Sequence, residues 1–126
     1  MSLHIPGLFI AESTGKGRGV FTAEPLEPGD VIEICPVIVL PDHDLQVIHQ
    51  TGLHDYYFLW GPRREQCAIA LGYGSLYNHS DRPNAEIELD FGEETIIFKC
   101  LTAIQPGEEI TIHYHSDPEF GGKLWF

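Results

Sequence analysis

Glycine and proline divide this chain into short segments, and that division limits the folds it can adopt. Thirteen Gly and nine Pro are spread through 126 residues. Because both residues weaken the interior of helices and strands, regular structure is confined to the stretches between them. Most of these stretches are short and rich in β-branched and aromatic residues, which favour strands. The pattern predicts one domain, residues 1–126, with a mostly β fold.

The longest apolar run and one amphipathic segment give the clearest local predictions. Residues 31–40 are β-branched and apolar, as a buried strand would be, and Pro36 predicts an edge position or a bulge. Residues 42–50 are the one credible helix, with Asp42 or Asp44 as its cap. Other short strands are predicted at 5–10, 19–21, 56–60, 67–71, 86–91, 95–101 and 110–114.

The charge balance restricts the class of partner. Nineteen Asp and Glu oppose seven Lys and Arg, which gives a formal charge of −12. Such a surface repels the phosphate backbone, so direct binding of nucleic acid is not expected. The same charge attracts a basic protein partner at long range, although solubility alone would also explain it.

The cellular compartment is predicted from three absences. No run of about 18 apolar residues occurs, and the first residues lack the pattern of a signal peptide. Cys35, Cys67 and Cys100 are odd in number and widely spaced, which fits free, buried thiols better than disulfides. We therefore expect an intracellular protein without a membrane segment, in either the cytoplasm or the nucleus.

Glycine is concentrated in turns that could have a function. The loop Gly15-Lys16-Gly17-Arg18-Gly19 would let a ligand approach the backbone closely, but it matches neither a P-loop nor a Rossmann fingerprint. An ordinary turn is the alternative interpretation. Residues 26–32 and 104–110 resemble each other, since each is a Pro-Gly-acid turn that leads into a strand.

Histidine and other polar groups suggest two further sites. Asn78-His79-Ser80 crowds hydrogen-bonding groups into one turn, which could equally satisfy its own backbone. His113, His115 and Asp117 alternate as a 2-His-1-carboxylate iron site would, with His79 as a further candidate. Since Ser116 and Pro118 would end the strand first, no metal is assigned.

A serine hydrolase is not expected, because no Gly-x-Ser-x-Gly elbow occurs.

Taken together, three of these segments resemble the SET-domain family of protein-lysine methyltransferases. Residues 15–21 resemble its N-terminal cofactor loop, and Tyr77-Asn78-His79-Ser80 resembles its Asn-His-Ser segment. Residues 107–114 resemble the final strand that bears the active-site tyrosine. Their order matches the family, and they span nearly the whole chain.

The resemblance implies a fold, a cofactor and a reaction. The expected fold has several small curved sheets, with one short helix and a knot-like crossing near the C-terminus. S-adenosylmethionine would donate a methyl group to a lysine ε-amine of a basic, histone-like protein substrate. Tyr114 would position the amine and the methyl group. The other implied site residues are Lys16, Gly17, Arg18, Asn78 and His79 for the cofactor, and Tyr56, Tyr57 and Tyr73 for the lysine channel, where an aromatic core is the alternative. In the C-terminal tail, Trp125 or Phe126 could stack on the adenine of the cofactor, or pack on the core instead.

Some positions depart from the family pattern. Asp81 stands where a cysteine often follows Asn-His-Ser, and His113 stands where an aspartate is common. The cysteine-rich zinc clusters of many relatives have no counterpart here. A SET-like module that binds a peptide without turnover is therefore the alternative function, and a homodimer is left open.

Overall fold

The computed structural model describes residues 3–114. Within this range the chain is mostly β with one α-helix, which confirms the predicted fold class. The helix is α1, Asp42–His49, and a 3₁₀ turn covers Gly74–Leu76. The strands are β1 (Leu3–His4), β2 (Leu8–Ser13), β3 (Gly17–Thr22), β4 (Val31–Leu40), β5 (Tyr57–Trp60), β6 (Gln66–Ala70), β7 (Asn78–His79), β8 (Ala85–Asp90), β9 (Thr95–Cys100) and β10 (Glu109–Ile112).

The strands form two sheets. The larger has the order β5-β6-β4-β9-β8, with β1 paired to β4, and the smaller has the order β2-β3-β10-β7. Among the described pairings, β7 with β10 is parallel and the others are antiparallel. Parallel neighbours require a long crossover rather than a hairpin. This pairing brings the Asn-His-Ser segment beside the final strand, where the crossing was predicted.

Strand β4 begins and ends where the apolar run predicted, but the inference from Pro36 was wrong. Strand β4 lies between β9 and β6, not at an edge. Pro36 stands opposite Thr95 at the last pairing with β9, and pairing with β6 begins at Val37. The missing N–H of Pro36 thus falls where β4 changes neighbours. The register irregularity lies elsewhere, between Val31 and Glu33.

The two similar Pro-Gly-acid turns contact each other. Leu26 and Ile104 exchange backbone hydrogen bonds of 2.9 and 3.0 Å, and both side chains are buried. Gly29 and Gly107 have φ values of 93° and 87°, which suit glycine. The Gly29 N–H donates to the Cys100 carbonyl on β9 at 2.8 Å, and the Gly107 N–H donates to the Thr22 carbonyl on β3 at 2.7 Å. These paired turns link the two sheets and place β10 beside β3.

Helix α1 is attached only weakly to the core. Its N-cap is Pro41, so the prediction that Asp42 or Asp44 caps it was wrong, and no side chain within residues 3–114 makes the capping hydrogen bond. Both carboxylates lie in the first turn, where the helix dipole favours negative charge. Val47 is 61% exposed, and none of the residues of α1 is buried.

The core lies between the two sheets and is mainly aliphatic. Tyr77 is almost fully buried and stacks on Phe98 with a centroid distance of 4.1 Å. The three cysteines are free and buried, as predicted. None of the helices in the described residues is long and apolar enough to span a membrane. The fully buried aliphatic and aromatic side chains include Val20, Ile32, Ile96, Phe98, Ile104, Ile110 and Ile112.

Candidate active site

The parallel pairing of β7 with β10 joins two segments that are far apart in the sequence. Asn78 stands opposite Thr111, and His79 stands opposite Ile112. The N–H of Ser80 extends the pairing by donating to the Ile112 carbonyl at 2.9 Å. On its other side β10 pairs with β3, which follows the glycine loop. The three motifs are therefore neighbours in the smaller sheet.

The glycine loop connects β2 to β3 as a tight turn. Gly15 and Gly17 have φ values of 75° and 76°, a backbone conformation that favours glycine. Within residues 3–114, no atom beyond the two chain neighbours lies within 4 Å of the Cβ position at Gly17, so this part of the chain leaves space for a ligand beside the loop. At Gly19, by contrast, a Cβ would collide with the carboxylate of Glu109 and lie 2.8 Å from Nδ2 of Asn78.

The carboxylate of Glu109 ties the three motifs together. It accepts a hydrogen bond of 2.7 Å from the Ser13 hydroxyl before the loop and another of 2.7 Å from Nδ2 of Asn78. The same Nδ2 donates to the carbonyl of Arg18 at 3.1 Å. Glu109 was not among the predicted site residues, because the pattern at Glu108-Glu109 indicated only a turn.

Lys16, in the glycine loop, contacts the Asn-His-Ser segment directly. Nζ of Lys16 donates to the backbone carbonyl of His79 at 3.1 Å. An ammonium has three N–H donors, so this contact leaves two donors for an anionic ligand group. Lys16 and His79, both predicted to contact the cofactor, are thus in direct contact with each other.

The ring of His79 is held in one tautomer. Its Nδ1 accepts the backbone N–H of Tyr114 at 3.1 Å, so the proton of the neutral ring lies on Nε2. That nitrogen lies 3.0 Å from Oδ1 of Asp81, to which it donates. Ligand atoms of His79, Asp81 and His113 lie within 4.8 Å of one another. A metal at Nε2 would have to displace this proton, so the hydrogen bonds disfavour a metal here, and the predicted candidates His115 and Asp117 lie outside the described residues.

The hydroxyl of Tyr114 is fixed and neutral. It donates to the carbonyl of Tyr77 at 2.9 Å. Burial, and then the negative charges of Asp55 and Glu109, raises the pKa of Tyr114 to about 12. A phenol with this pKa keeps its proton near neutral pH, so it can orient groups but is a poor proton acceptor.

The motifs converge on a cavity of about 160 Å³. Both predicted site residues and further residues that no motif indicates line the cavity. The predicted ones are Lys16, Gly17, Arg18, Tyr56, Asn78 and Tyr114, and the additional ones are Asp55, Ser75, Leu76 and Tyr77. No sequence motif marks Asp55, since it lies in an irregular segment between α1 and β5.

The other predicted residues lie elsewhere. Tyr57 is outside the lining of this cavity and 7% exposed, and its hydroxyl lies 2.9 Å from Nδ1 of His49. Tyr73 is also outside the lining; it packs against the core with its ring centroid 6.0 Å from that of His4. The aromatic-core alternative describes both positions. Trp125 and Phe126 lie outside the described residues.

A buried carboxylate supports the cavity wall from behind. Glu33 is 3% exposed and accepts hydrogen bonds from the Tyr77 hydroxyl at 2.7 Å and the Tyr73 N–H at 3.0 Å. Burial, and then the charge of Glu33, raises the pKa of Tyr77 well above its usual value. The same two causes raise the pKa of the Cys35 thiol. The sequence signal for this contact is a lone acid within an apolar run.

Comparison with known proteins places the chain in a family. The sequence model of the SET domain matches residues 17–115. A histone-lysine N-methyltransferase of Schizosaccharomyces pombe, specific for H3 lysine-37, is 34% identical over 120 residues, which cover 94% of this chain and 76% of the relative. A crystal structure of a Plasmodium falciparum protein, proposed to be a histone methyltransferase, superimposes with a TM-score of 0.72 at 31% identity. This superposition covers 88% of this chain and 95% of that one.

The chain therefore belongs to the SET-domain family. As a member, it is a protein-lysine N-methyltransferase, which is the class that the three motifs predicted. The convergence of those motifs on one cavity agrees with this assignment.

Proposed function

We propose that this protein transfers a methyl group from S-adenosylmethionine to a lysine ε-amine in a basic protein substrate. The observation that carries the proposal is the meeting of Lys16, Gly17, Arg18, Asn78 and Tyr114 around one cavity. These residues come from three separate segments: Asn78 lies 60 positions after Arg18, and Tyr114 lies 36 positions after Asn78. The segments match the family in order. Such convergence is expected of a binding site rather than of three unrelated turns.

The cavity fits the methionine end of the cofactor. Lys16 offers two remaining N–H donors for a carboxylate, and Gly17 adds no side chain to the space beside it. Asn78 uses its amide nitrogen to hold the loop and Glu109, so we infer that it contacts the cofactor mainly through its backbone. A volume of about 160 Å³ suits one end of the molecule rather than all of it. When bound, the cofactor supplies an electrophilic methyl group on a sulfonium.

The cavity also suits an amine acceptor. Lysine must lose its proton to attack, although its ordinary pKa is about 10.4. Desolvation beside Tyr56 and Tyr114 lowers that pKa, because burial disfavours the ammonium. The hydroxyl of Tyr114, fixed on the carbonyl of Tyr77, is neutral and can hold the amine in line with the methyl group. The role of Tyr114 is therefore positioning rather than proton transfer.

The substrate is proposed to be a basic segment of histone type. The net charge of −12 attracts such segments, and the Schizosaccharomyces pombe relative acts on H3 lysine-37. A histone substrate agrees with the expectation of an intracellular protein, in the cytoplasm or the nucleus. A homodimer stays a prediction.

Two measurements test the proposal in sequence. Isothermal titration with S-adenosylmethionine should detect saturable binding of one cofactor per chain. Incubation of core histones with the protein and cofactor should then add methyl groups that mass spectrometry locates on lysine. Absence of cofactor binding would contradict the proposal. Binding without transfer to any lysine would instead support the alternative, a SET-like module that recognises a peptide.

A further inference from the structure

An acidic side chain lines the cavity beside the two tyrosines, and the reaction described above gives it no role. Asp55 shares the lining with Tyr56 and Tyr114. Its segment is well held: the N–H of His54 donates to the Thr51 carbonyl at 3.1 Å, and the N–H of Tyr56 donates to the Leu53 carbonyl at 3.0 Å. Asp55 is thus placed by consecutive turns and not by a freely moving loop.

In the described part of the chain, no group donates a hydrogen bond to one carboxylate oxygen of Asp55. Oδ1 is buried and has no hydrogen-bond partner among residues 3–114. Nε2 of His54 lies 3.2 Å from it, but not in a direction that forms a hydrogen bond. Nδ1 of His54 lies 2.9 Å from the Thr51 carbonyl, which fixes the ring. A buried carboxylate oxygen without a donor is costly. The Asp55 side chain as a whole is 37% exposed, so its carboxylate can meet a cationic N–H donor of a ligand at the cavity, and this contact would offset that cost.

The surrounding charges leave a cation as the complementary ligand. Lys16 and Arg18 lie on the glycine-loop side of the cavity, and Nζ of Lys16 contacts His79. Asp55 lies on the tyrosine side, and its negative charge contributes to the raised pKa of Tyr114. The cavity therefore has a basic part, which suits a carboxylate, and an acidic part, which suits an ammonium.

We infer that Asp55 binds the ε-ammonium of the incoming substrate lysine and so selects lysine over uncharged side chains. The inference rests on the proposed function for the identity of the substrate, but binding itself needs no turnover. At neutral pH almost every lysine arrives charged, so a carboxylate at the cavity offsets the loss of water around that charge.

If Asp55 binds the ammonium, it also opposes deprotonation of the lysine, and this second effect can be measured. A carboxylate beside the ammonium favours the charged form and raises the pKa of the bound lysine. Removing the carboxylate should therefore weaken lysine binding and, at the same time, ease deprotonation of the bound amine. The other groups facing this position, His54, Tyr56, Tyr114, Lys16 and Arg18, are unchanged by the substitution Asp55→Asn.

Binding is tested with two peptides and two variants. The probes are a histone H3 peptide containing lysine 37 and the same peptide with norleucine in its place. The wild-type protein should prefer the lysine peptide, and Asp55→Asn should reduce that preference about tenfold or more, the usual range for a charged hydrogen bond. Asp42→Asn is the matched control, because it removes the same charge from a carboxylate that is 68% exposed and outside the cavity lining.

Three outcomes of the binding experiment would overturn the inference. They are a wild-type protein that does not prefer lysine, an unchanged preference in Asp55→Asn, and an equal loss in Asp42→Asn. If methyl transfer is observed, Asp55→Asn should raise KM for the peptide about tenfold and move the acidic limb of the kcat profile about one unit lower. An acidic limb that stays at the same pH in Asp55→Asn would also contradict the inference. A lysine preference without methyl transfer would support Asp55 as the lysine ligand while contradicting the proposed function.

Discussion

Gly19→Ala would place a methyl group where Glu109 and Asn78 meet. The added carbon would collide with the carboxylate of Glu109 and lie 2.8 Å from Nδ2 of Asn78. One of the two side chains must move, and the hydrogen bonds of 2.7 Å that Glu109 accepts from Ser13 and Asn78 would break or lengthen. Because hydrogen bonds to charged groups contribute about 1.5–3 kcal/mol each, we expect Gly19→Ala to lower the free energy of unfolding by about 2–4 kcal/mol.

Urea denaturation followed by tryptophan fluorescence measures this loss. Gly52→Ala is the control, since no atom of the described part of the chain, apart from the two chain neighbours, lies within 4 Å of the Cβ position at Gly52. It should change the free energy of unfolding by less than about 1 kcal/mol. Cofactor affinity should also fall in Gly19→Ala, because the loop that bears Lys16 is no longer held against Asn78.

A double-mutant cycle shows whether the loss of stability in Gly19→Ala comes from the collision with Glu109 or from another cause. In Gly19→Ala combined with Glu109→Ala, the added methyl no longer meets the carboxylate. The loss in the double variant should therefore be smaller than the sum of the two single losses, by at least about 1 kcal/mol. Additive losses, or a Gly19→Ala protein as stable as Gly52→Ala, would refute the idea that Glu109 joins the motifs.

Three further predictions concern single side chains. Tyr77→Phe removes the hydroxyl that donates to the buried carboxylate of Glu33, so the free energy of unfolding should fall by about 2–3 kcal/mol in urea titrations. Since the folded pKa of Tyr114 is raised to about 12, the protonated phenol favours the folded state. Stability should fall as pH rises from about 10 to 12, and it should fall less in Tyr114→Phe. Lys16→Met should weaken cofactor binding by calorimetry about tenfold, whereas Lys99→Met, whose lysine pairs with Glu88 on β8, should not.

Local structure was largely predictable from the sequence where one pattern dominates. The uninterrupted β-branched run predicted β4 to the residue, and α1 ends one residue before its predicted limit. Pro36 shows where such reasoning fails. Its missing N–H requires an unpaired position, and the structure provides one inside the sheet, where β4 leaves β9 and joins β6. Only the tertiary arrangement reveals that possibility.

The site was predictable where a motif marks the residue and not where packing alone does. Lys16, Asn78 and Tyr114 were identified through their motifs, and the structure brings them to one cavity. Asp55 and Glu109 carry no such signal, because their roles depend on contacts with segments distant in the sequence. The three tyrosines predicted for the lysine channel differ for the same reason. Tyr56 lines the cavity, whereas Tyr57 and Tyr73 lie outside its lining.

The central claim is that Tyr114 positions the amine and the methyl group in a cavity built from the three motifs. It is tested most directly by kcat for methyl transfer to histone H3 at saturating cofactor, compared between Tyr114→Phe and Tyr73→Phe. Both variants lose one phenolic oxygen, but only Tyr114 lines the cavity. We predict at least about a hundredfold loss of kcat in Tyr114→Phe and less than about a twofold change in Tyr73→Phe. Equal kcat values in the two variants would contradict the claim.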